Sequence, residues 1–288
     1  MRKEIATMSV TKEIMQQFNL HTKKVFGQNF ITDANTVRKI AKECNLTSDS
    51  AAIEIGPGIG ALTEQLALLA KKVIAYEIDS RLIPVLSDTL GKYSNVEIIE
   101  QDFLEVDFKA VVERLKYDCK EVIVAANLPY YITTPILFHI FESNSSVDRV
   151  VVMMQKEVAD RFSANVNTKD YNALSIITQY MWDVRQVMKV SRNIFEPKPN
   201  VDSAVVEFKK KAAPHHLANE QMFFALVKSC FEQRRKTIYN NYQKFCDSKE
   251  RAANNLKEAG IELNQRAESV TLEQFIRLYE IHEEHLHD

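Results

Sequence analysis

Residues Ala51–Leu90 read AAIEIGPGIGALTEQLALLAKKVIAYEIDSRLIPVLSDTL. A short apolar run ends in a glycine turn, a stretch of helical period follows, then a second β-branched run and a second helical stretch. Strand, turn, helix, strand, helix is the signature of a parallel βαβ unit. In the turn EIGPGIGAL, backbone can approach a ligand closely and feed a helix N-terminus. Gly56, Gly58 and Ala61 satisfy the dinucleotide pattern G-x-G-x-x-G/A, so a nicotinamide dehydrogenase stands as one reading of this stretch.

Working outward, NVEIIEQDFLEVDF (95–108) supplies a third strand and KEVIVAANLPYYI (120–132) a fourth. VDRVVVMMQKEVADRF (147–162) gives a fifth strand running into a helix. VRQVMKVSRNIF and SAVVEFKK are two late strands with a short loop between them, which predicts an antiparallel hairpin at one sheet edge. Before the unit, TVRKIAKECNL has apolar residues at helical spacing after the turn-like GQNFITDAN. From about Leu217 the pattern is helical to the end. The expected architecture is a doubly wound α/β domain over residues 1–212, with an N-terminal helical segment, and a small all-helical domain over 213–288.

An acidic or amide residue stands at the end of each of the first four strands: Glu54, Glu77, Asp102 and Asn127. In an open α/β sheet such positions line a crevice at the carboxyl edge, where ligands bind. Glu77 is placed to accept hydrogen bonds from ribose hydroxyls, and Asp102 to hold an adenine amino group, with Asp107 a less well-placed competitor. The fourth strand ends in Asn127-Leu128-Pro129-Tyr130, which reads as a nucleobase clamp. The Asn127 amide oxygen and a backbone carbonyl can accept from an exocyclic amine, the proline fixes the backbone, and the tyrosine ring offers a stacking face. Tyr131 reads as a packing residue.

The 288 residues are 45% hydrophobic and 26% charged, as in ordinary globular proteins. No apolar run approaches the ~20 residues needed to cross a bilayer, and the N-terminus lacks the apolar core of a signal peptide, so a cytoplasmic protein is expected. Cys44, Cys119, Cys230 and Cys246 are scattered and read as free thiols. His282, His285 and His287 lie in EIHEEHLHD, read as a solvated, frayed helix end rather than a metal site. Net charge is −2, yet residues 207–244 hold eight Lys/Arg against three acids, the kind of local patch that phosphate backbones require. Arg234, Arg235 and Lys236 are expected on an exposed helical surface in contact with RNA phosphates. Nothing calls for a dimer.

The motifs FGQNFI, EIGPGIGALT, NLPYYITTPI, MMQKEVADR, FEPKPNVDSAVV and FEQRRKTIYNN together resemble the KsgA/Dim family of small-subunit ribosomal RNA adenine N6,N6-dimethyltransferases, over about residues 26–241. The resemblance implies a Rossmann-like methyltransferase sheet, S-adenosyl-L-methionine as cofactor, no metal, and small-subunit rRNA within a pre-30S particle as partner. It implies that Asn29 and Ile31 close over the methionine end of the cofactor, that Gly56 and Gly58 contact it, that Glu77 binds its ribose and Asp102 its adenine. Asn127 then lies between cofactor and target base, with the Leu128 carbonyl, Tyr130 and Phe195 completing the base site. Ile31 stands where leucine is commoner in the family. The alternatives are a 23S rRNA methyltransferase of the macrolide-resistance type, a non-catalytic ribosome-assembly factor and a DNA adenine methyltransferase.

Overall fold

The computed structural model describes residues 4–20, 28–212, 215–246 and 248–285. Phe26 and Gly27 of the FGQNFI motif, and His287, lie outside them. Among the described residues the strands are β1 (Phe30–Ile31), β2 (Ser50–Ile55), β3 (Lys72–Glu77), β4 (Val96–Glu100), β5 (Glu121–Asn127), β6 (Arg149–Gln155), β7 (Trp182–Val190), β8 (Phe195–Glu196) and β9 (Ser203–Lys210).

Seven strands form one sheet in the order β4-β3-β2-β5-β6-β9-β7. The pairs β2–β3, β3–β4, β2–β5 and β5–β6 are parallel, and β9 runs antiparallel to β6. This is the expected α/β sheet with its antiparallel edge. The chain moves outward from β2 to β4, then returns to lay β5 on the other side of β2. That reversal opens the crevice where doubly wound sheets bind ligands.

The central strands are largely apolar and buried because both faces are covered. One face packs Ala52, Val73, Ile123, Ala125, Val151 and Val205 with the helices Ala34–Glu43, Ala61–Ala67 and Ile83–Leu90. On the other, Tyr76 meets Phe103 edge-on at 5.7 Å, and Phe141 of the helix Thr133–Glu142 meets Phe208 of β9 at 5.2 Å. The helix Ala34–Glu43 starts where Asp33 accepts from the Thr36 N–H at 3.0 Å, a side-chain N-cap. β1 and β8 pair antiparallel, Phe30 with Glu196 and Ile31 with Phe195.

The contacts divide the chain into one unit of residues 1–159 and 185–210, and a second of 160–184 and 211–288. The expected single cut between 212 and 213 therefore misplaces residues 160–184. These belong with the helices because Tyr180 packs on Phe223 at 5.0 Å and the Tyr171 hydroxyl donates to the Val270 carbonyl at 3.1 Å. The helix Ala173–Met181 in this segment, which the sequence reading passed over, opens with a capping box of Asn172 and Ser175. The second unit adds Glu220–Cys230, Ile238–Tyr242, Lys249–Glu258 and Leu272–Glu284, with Phe223, Tyr242, Leu256, Phe275 and Tyr279 in its core.

Candidate active site

At the carboxyl ends of β2, β3 and β5 lies a cleft lined by Asn29, Ile31, Glu54, Gly56, Gly58, Glu77, Asn127, Leu128 and Tyr130 among others. Four distant parts of the sequence thus line one cleft. Asp102 and Phe195 are absent from the lining.

The glycine turn is shaped by backbone demands that other residues meet at a cost. Gly56 has φ +68° with nothing near a would-be Cβ, so its constraint is conformational alone. Gly58 has φ +62°, and a Cβ there would stand 3.2 Å from the Phe30 ring. The Gly58 N–H donates to Glu77 Oε2 at 3.2 Å, and the Asp79 N–H donates to Oε1 at 2.9 Å. Glu77 thus braces the turn, and its remaining lone pairs are left for a ligand. Burial raises its pKa against the pull of these two hydrogen bonds and of a third from the Ile78 backbone.

Glu54 sits one strand away, 1% exposed, with Oε2 buried and without a hydrogen-bond partner among the described residues. Burial pushes its carboxyl up to about 8, and the charge of Glu77 adds to the shift. The sequence placed Glu54 at the crevice as a strand end and gave it no ligand; in the sheet it stands opposite Ala125 of β5, a pairing that no local motif announces. A cationic ligand in the cleft would favour the ionised form of both carboxyls, which burial disfavours. A dinucleotide would bring its pyrophosphate to this turn, where the Gly58 amide is already committed and both neighbours are acids. The dehydrogenase reading fails on that geometry.

The segment 28–31 is fastened over the cleft at three points. The Gln28 amide donates to Asp79 Oδ2 at 2.8 Å, β1 pairs with β8, and the Asn127 Nδ2 donates to the Asn29 carbonyl at 3.2 Å. The last bond also fixes which way the Asn127 amide points: its nitrogen is engaged by the chain, so its oxygen is the group left to accept. Leu128 is buried, donates its N–H to the Met153 carbonyl at 3.0 Å, and has a carbonyl with no partner among the described residues. Tyr130 turns its hydroxyl to Ser203 Oγ at 2.8 Å.

Three expected positions differ in detail. Asp102 caps a 3-10 turn, accepting from the Leu104 N–H at 2.9 Å, and Asp107 likewise caps the next helix through Ala110. Tyr131 is 58% exposed, not packed; its hydroxyl pKa is raised by partial burial and by the charges of Asp102 and Glu77. Phe195 is 2% exposed in the core beside Phe30 and Val190, so its ring offers no open face to a base. Its contribution is the backbone pairing that holds Ile31.

In the second unit, Arg234, Arg235 and Lys236 are exposed, as expected, but they occupy the loop between the helices Glu220–Cys230 and Ile238–Tyr242 rather than a helix. The Arg234 guanidinium donates to the Lys169 carbonyl, so this residue also anchors a neighbouring loop. His282 is 3% exposed, hydrogen-bonded to the Tyr242 hydroxyl at 3.0 Å, and is not part of a solvated helix end. Among the described residues no three potential metal ligands gather, and no helix is long and apolar enough to cross a membrane.

Comparison with known proteins converges on this arrangement. The family described as ribosomal RNA adenine dimethylase matches residues 19–284. Ribosomal RNA small subunit methyltransferase A of Staphylococcus haemolyticus is 47% identical over 284 residues, covering 97% of this chain and 96% of its own. The protein of the same name from Bacillus pumilus is 48% identical, covering 96% and 97%. Among solved structures, a dimethyladenosine transferase from Plasmodium falciparum aligns with TM-score 0.72 at 28% identity, covering 86% of this chain and 95% of that one. The 23S rRNA methyltransferase ErmE aligns with TM-score 0.70 at 29%, covering 88% and 100%. Matched nearly end to end in sequence, and built on a doubly wound sheet, the chain belongs to the ribosomal RNA adenine dimethylase family.

Proposed function

We propose that this protein transfers methyl groups from S-adenosyl-L-methionine to N6 of two adjacent adenosines near the 3′ end of small-subunit (16S) rRNA, giving N6,N6-dimethyladenosine during 30S maturation. The observation that carries the reading is the Asn127 amide. Its nitrogen is tied to the Asn29 carbonyl at the edge of an acidic cleft, and its oxygen is left to accept from an amine. The full-length relatives at 47–48% identity favour the small-subunit target over the 23S alternative.

The residues present fit the cofactor. Its ammonium and sulfonium suit a cleft flanked by the desolvated carboxyls of Glu54 and Glu77, and its ribose suits the spare lone pairs of Glu77. Asp102, which caps the turn that follows β4, holds the adenine. Asn29, Ile31, Gly56 and Gly58 close the cleft around the remainder. The bound cofactor supplies an activated methyl group; the protein supplies position. The adenine N6 lone pair is delocalised into the ring and is a poor nucleophile. Acceptance of its N–H groups by Asn127 Oδ1 and the Leu128 carbonyl favours a pyramidal nitrogen and stabilises the positive charge that develops there. Tyr130 stacks on the extruded base and offsets part of the cost of unstacking, a few kcal/mol. Arg235 and Lys236, with Arg234, contact RNA phosphates. The protein acts as a monomer in the cytoplasm, on rRNA within a pre-30S particle.

The test offers labelled S-adenosylmethionine with undermethylated 30S particles, naked 16S rRNA, 23S rRNA and DNA. Label is expected in small-subunit substrates alone, as dimethyladenosine. Label in 23S rRNA instead would reassign the target, and no label in any arm would leave a binding factor.

A further inference from the structure

The Tyr130 ring is held at both ends. Its backbone follows Pro129, and its hydroxyl lies 2.8 Å from Ser203 Oγ. Ser203 is the first residue of β9, wholly buried, and pairs with Gln155 at the carboxyl end of β6. Next to it the Asp202 carbonyl accepts from the Lys156 N–H at 3.0 Å. The tyrosine is therefore tied to the sheet and not only to its own loop. A stacking platform needs the ring alone, so the hydroxyl contact calls for a separate explanation.

We infer that Ser203 is a positioning residue for the second of the two methyl transfers, holding the Tyr130 ring in place when the target is already N6-methyladenine. This rests on the adenine-dimethylating function proposed above. Unmodified adenine offers two N–H groups to two acceptors, Asn127 Oδ1 and the Leu128 carbonyl. After one transfer a single N–H remains. In the second transfer the N6 lone pair forms the new bond to the methyl carbon, the carbon–sulfur bonding pair leaves with sulfur, and the last N6 proton passes to solvent water. During that step the clamp is down to one of its two hydrogen bonds, whereas the stacking contact is undiminished. Placement of the base then falls more heavily on the ring, and a misplacement of about 1 Å is enough to cost about 10²-fold in rate. Looseness in Tyr130 thus penalises the second methyl group more than the first.

The test compares wild type, Ser203→Ala, Tyr130→Phe and the double variant on undermethylated 30S particles with saturating S-adenosylmethionine. Single-turnover samples are digested to nucleosides, and N6-methyladenosine and N6,N6-dimethyladenosine are quantified by mass spectrometry. Each single variant is expected to slow the second transfer about tenfold, the scale of one hydrogen bond, and the first by less than about threefold, so that monomethyl product accumulates. The KM for particles should not move. The double variant should be no slower than either single, because both remove the same hydrogen bond. Tyr130→Phe leaves β9 untouched, so the comparison survives a lower melting temperature in Ser203→Ala. A wild-type enzyme that makes no dimethyladenosine overturns the functional reading itself. A wild type that dimethylates, with single variants that keep its product ratio or a double variant whose losses add, overturns the assignment to Ser203.

Discussion

Asn127 is the residue on which turnover should depend most. Asn127→Ala deletes the acceptor for the target amine and the bond to Asn29, and leaves the Tyr130 ring. By the scale of single groups lost from oxyanion holes, single-turnover rate should fall about 10²–10³-fold with particle affinity largely kept. Glu54 gives a prediction of a different kind. Its folded pKa of about 8 lies above its ordinary value of 4.5, so the unfolded chain releases this proton first. Stability from this group is complete below about 4.5 and is lost as pH rises toward 8. Glu54→Gln, which stays neutral, should remove that part of the decline in urea midpoints of the cofactor-free protein; an unchanged pH profile would refute the buried, uncompensated carboxyl. Asn127 was legible because amide, proline and ring are adjacent in sequence. Ser203 was not, because its partner lies 73 residues away and a serine opening a strand carries no signal.

Among the elements, the glycine turn joins conformation to binding. Gly58→Ala combines a positive φ with a 3.2 Å approach to Phe30 and disturbs the N–H that Glu77 accepts. Stability should drop by about 1 kcal/mol or more, read by thermal melting. Isothermal titration with S-adenosylmethionine should show weaker binding than the melting change alone explains, since Glu77 loses its brace. The parallel strands were readable from apolar runs bounded by turns, and the sheet edge from two late strands with a short connection. The helix Ala173–Met181 was harder: its residues are apolar on several sides and β-rich in composition, and only the Asn172–Ser175 cap marks its start. The basic run at 234–236 sat between helical patterns, and charge alone does not say whether a loop or a helix carries it.

At the scale of the molecule, the net charge of −2 conceals where RNA is met. Arg235→Ala with Lys236→Ala should reduce the log–log salt slope of particle binding by about 0.7–0.9 for each phosphate left unneutralised, with cofactor affinity unchanged. Arg234→Ala should in addition lower the melting temperature, because its guanidinium secures the Lys169 loop. A wild-type slope in the double variant would move the RNA surface elsewhere. The boundary between units was misjudged for the same reason that makes it stable. Residues 160–184 join helices more than forty positions downstream through Tyr171 and Tyr180, an association that no local pattern encodes.

The β1–β8 pairing has a consequence for synthesis. Thr32 bonds to the Ile194 carbonyl across 162 residues, and Ile31 pairs with Phe195 beside it. β1 must therefore wait, unpaired, until residues 194–196 have left the ribosomal tunnel. Domains fold as units while the chain is made, and this one leaves the rim of its cleft to a late arrival. Until then the nascent chain, attached to its own ribosome and surrounded by rRNA, is unable to close the site it will later use on that class of RNA.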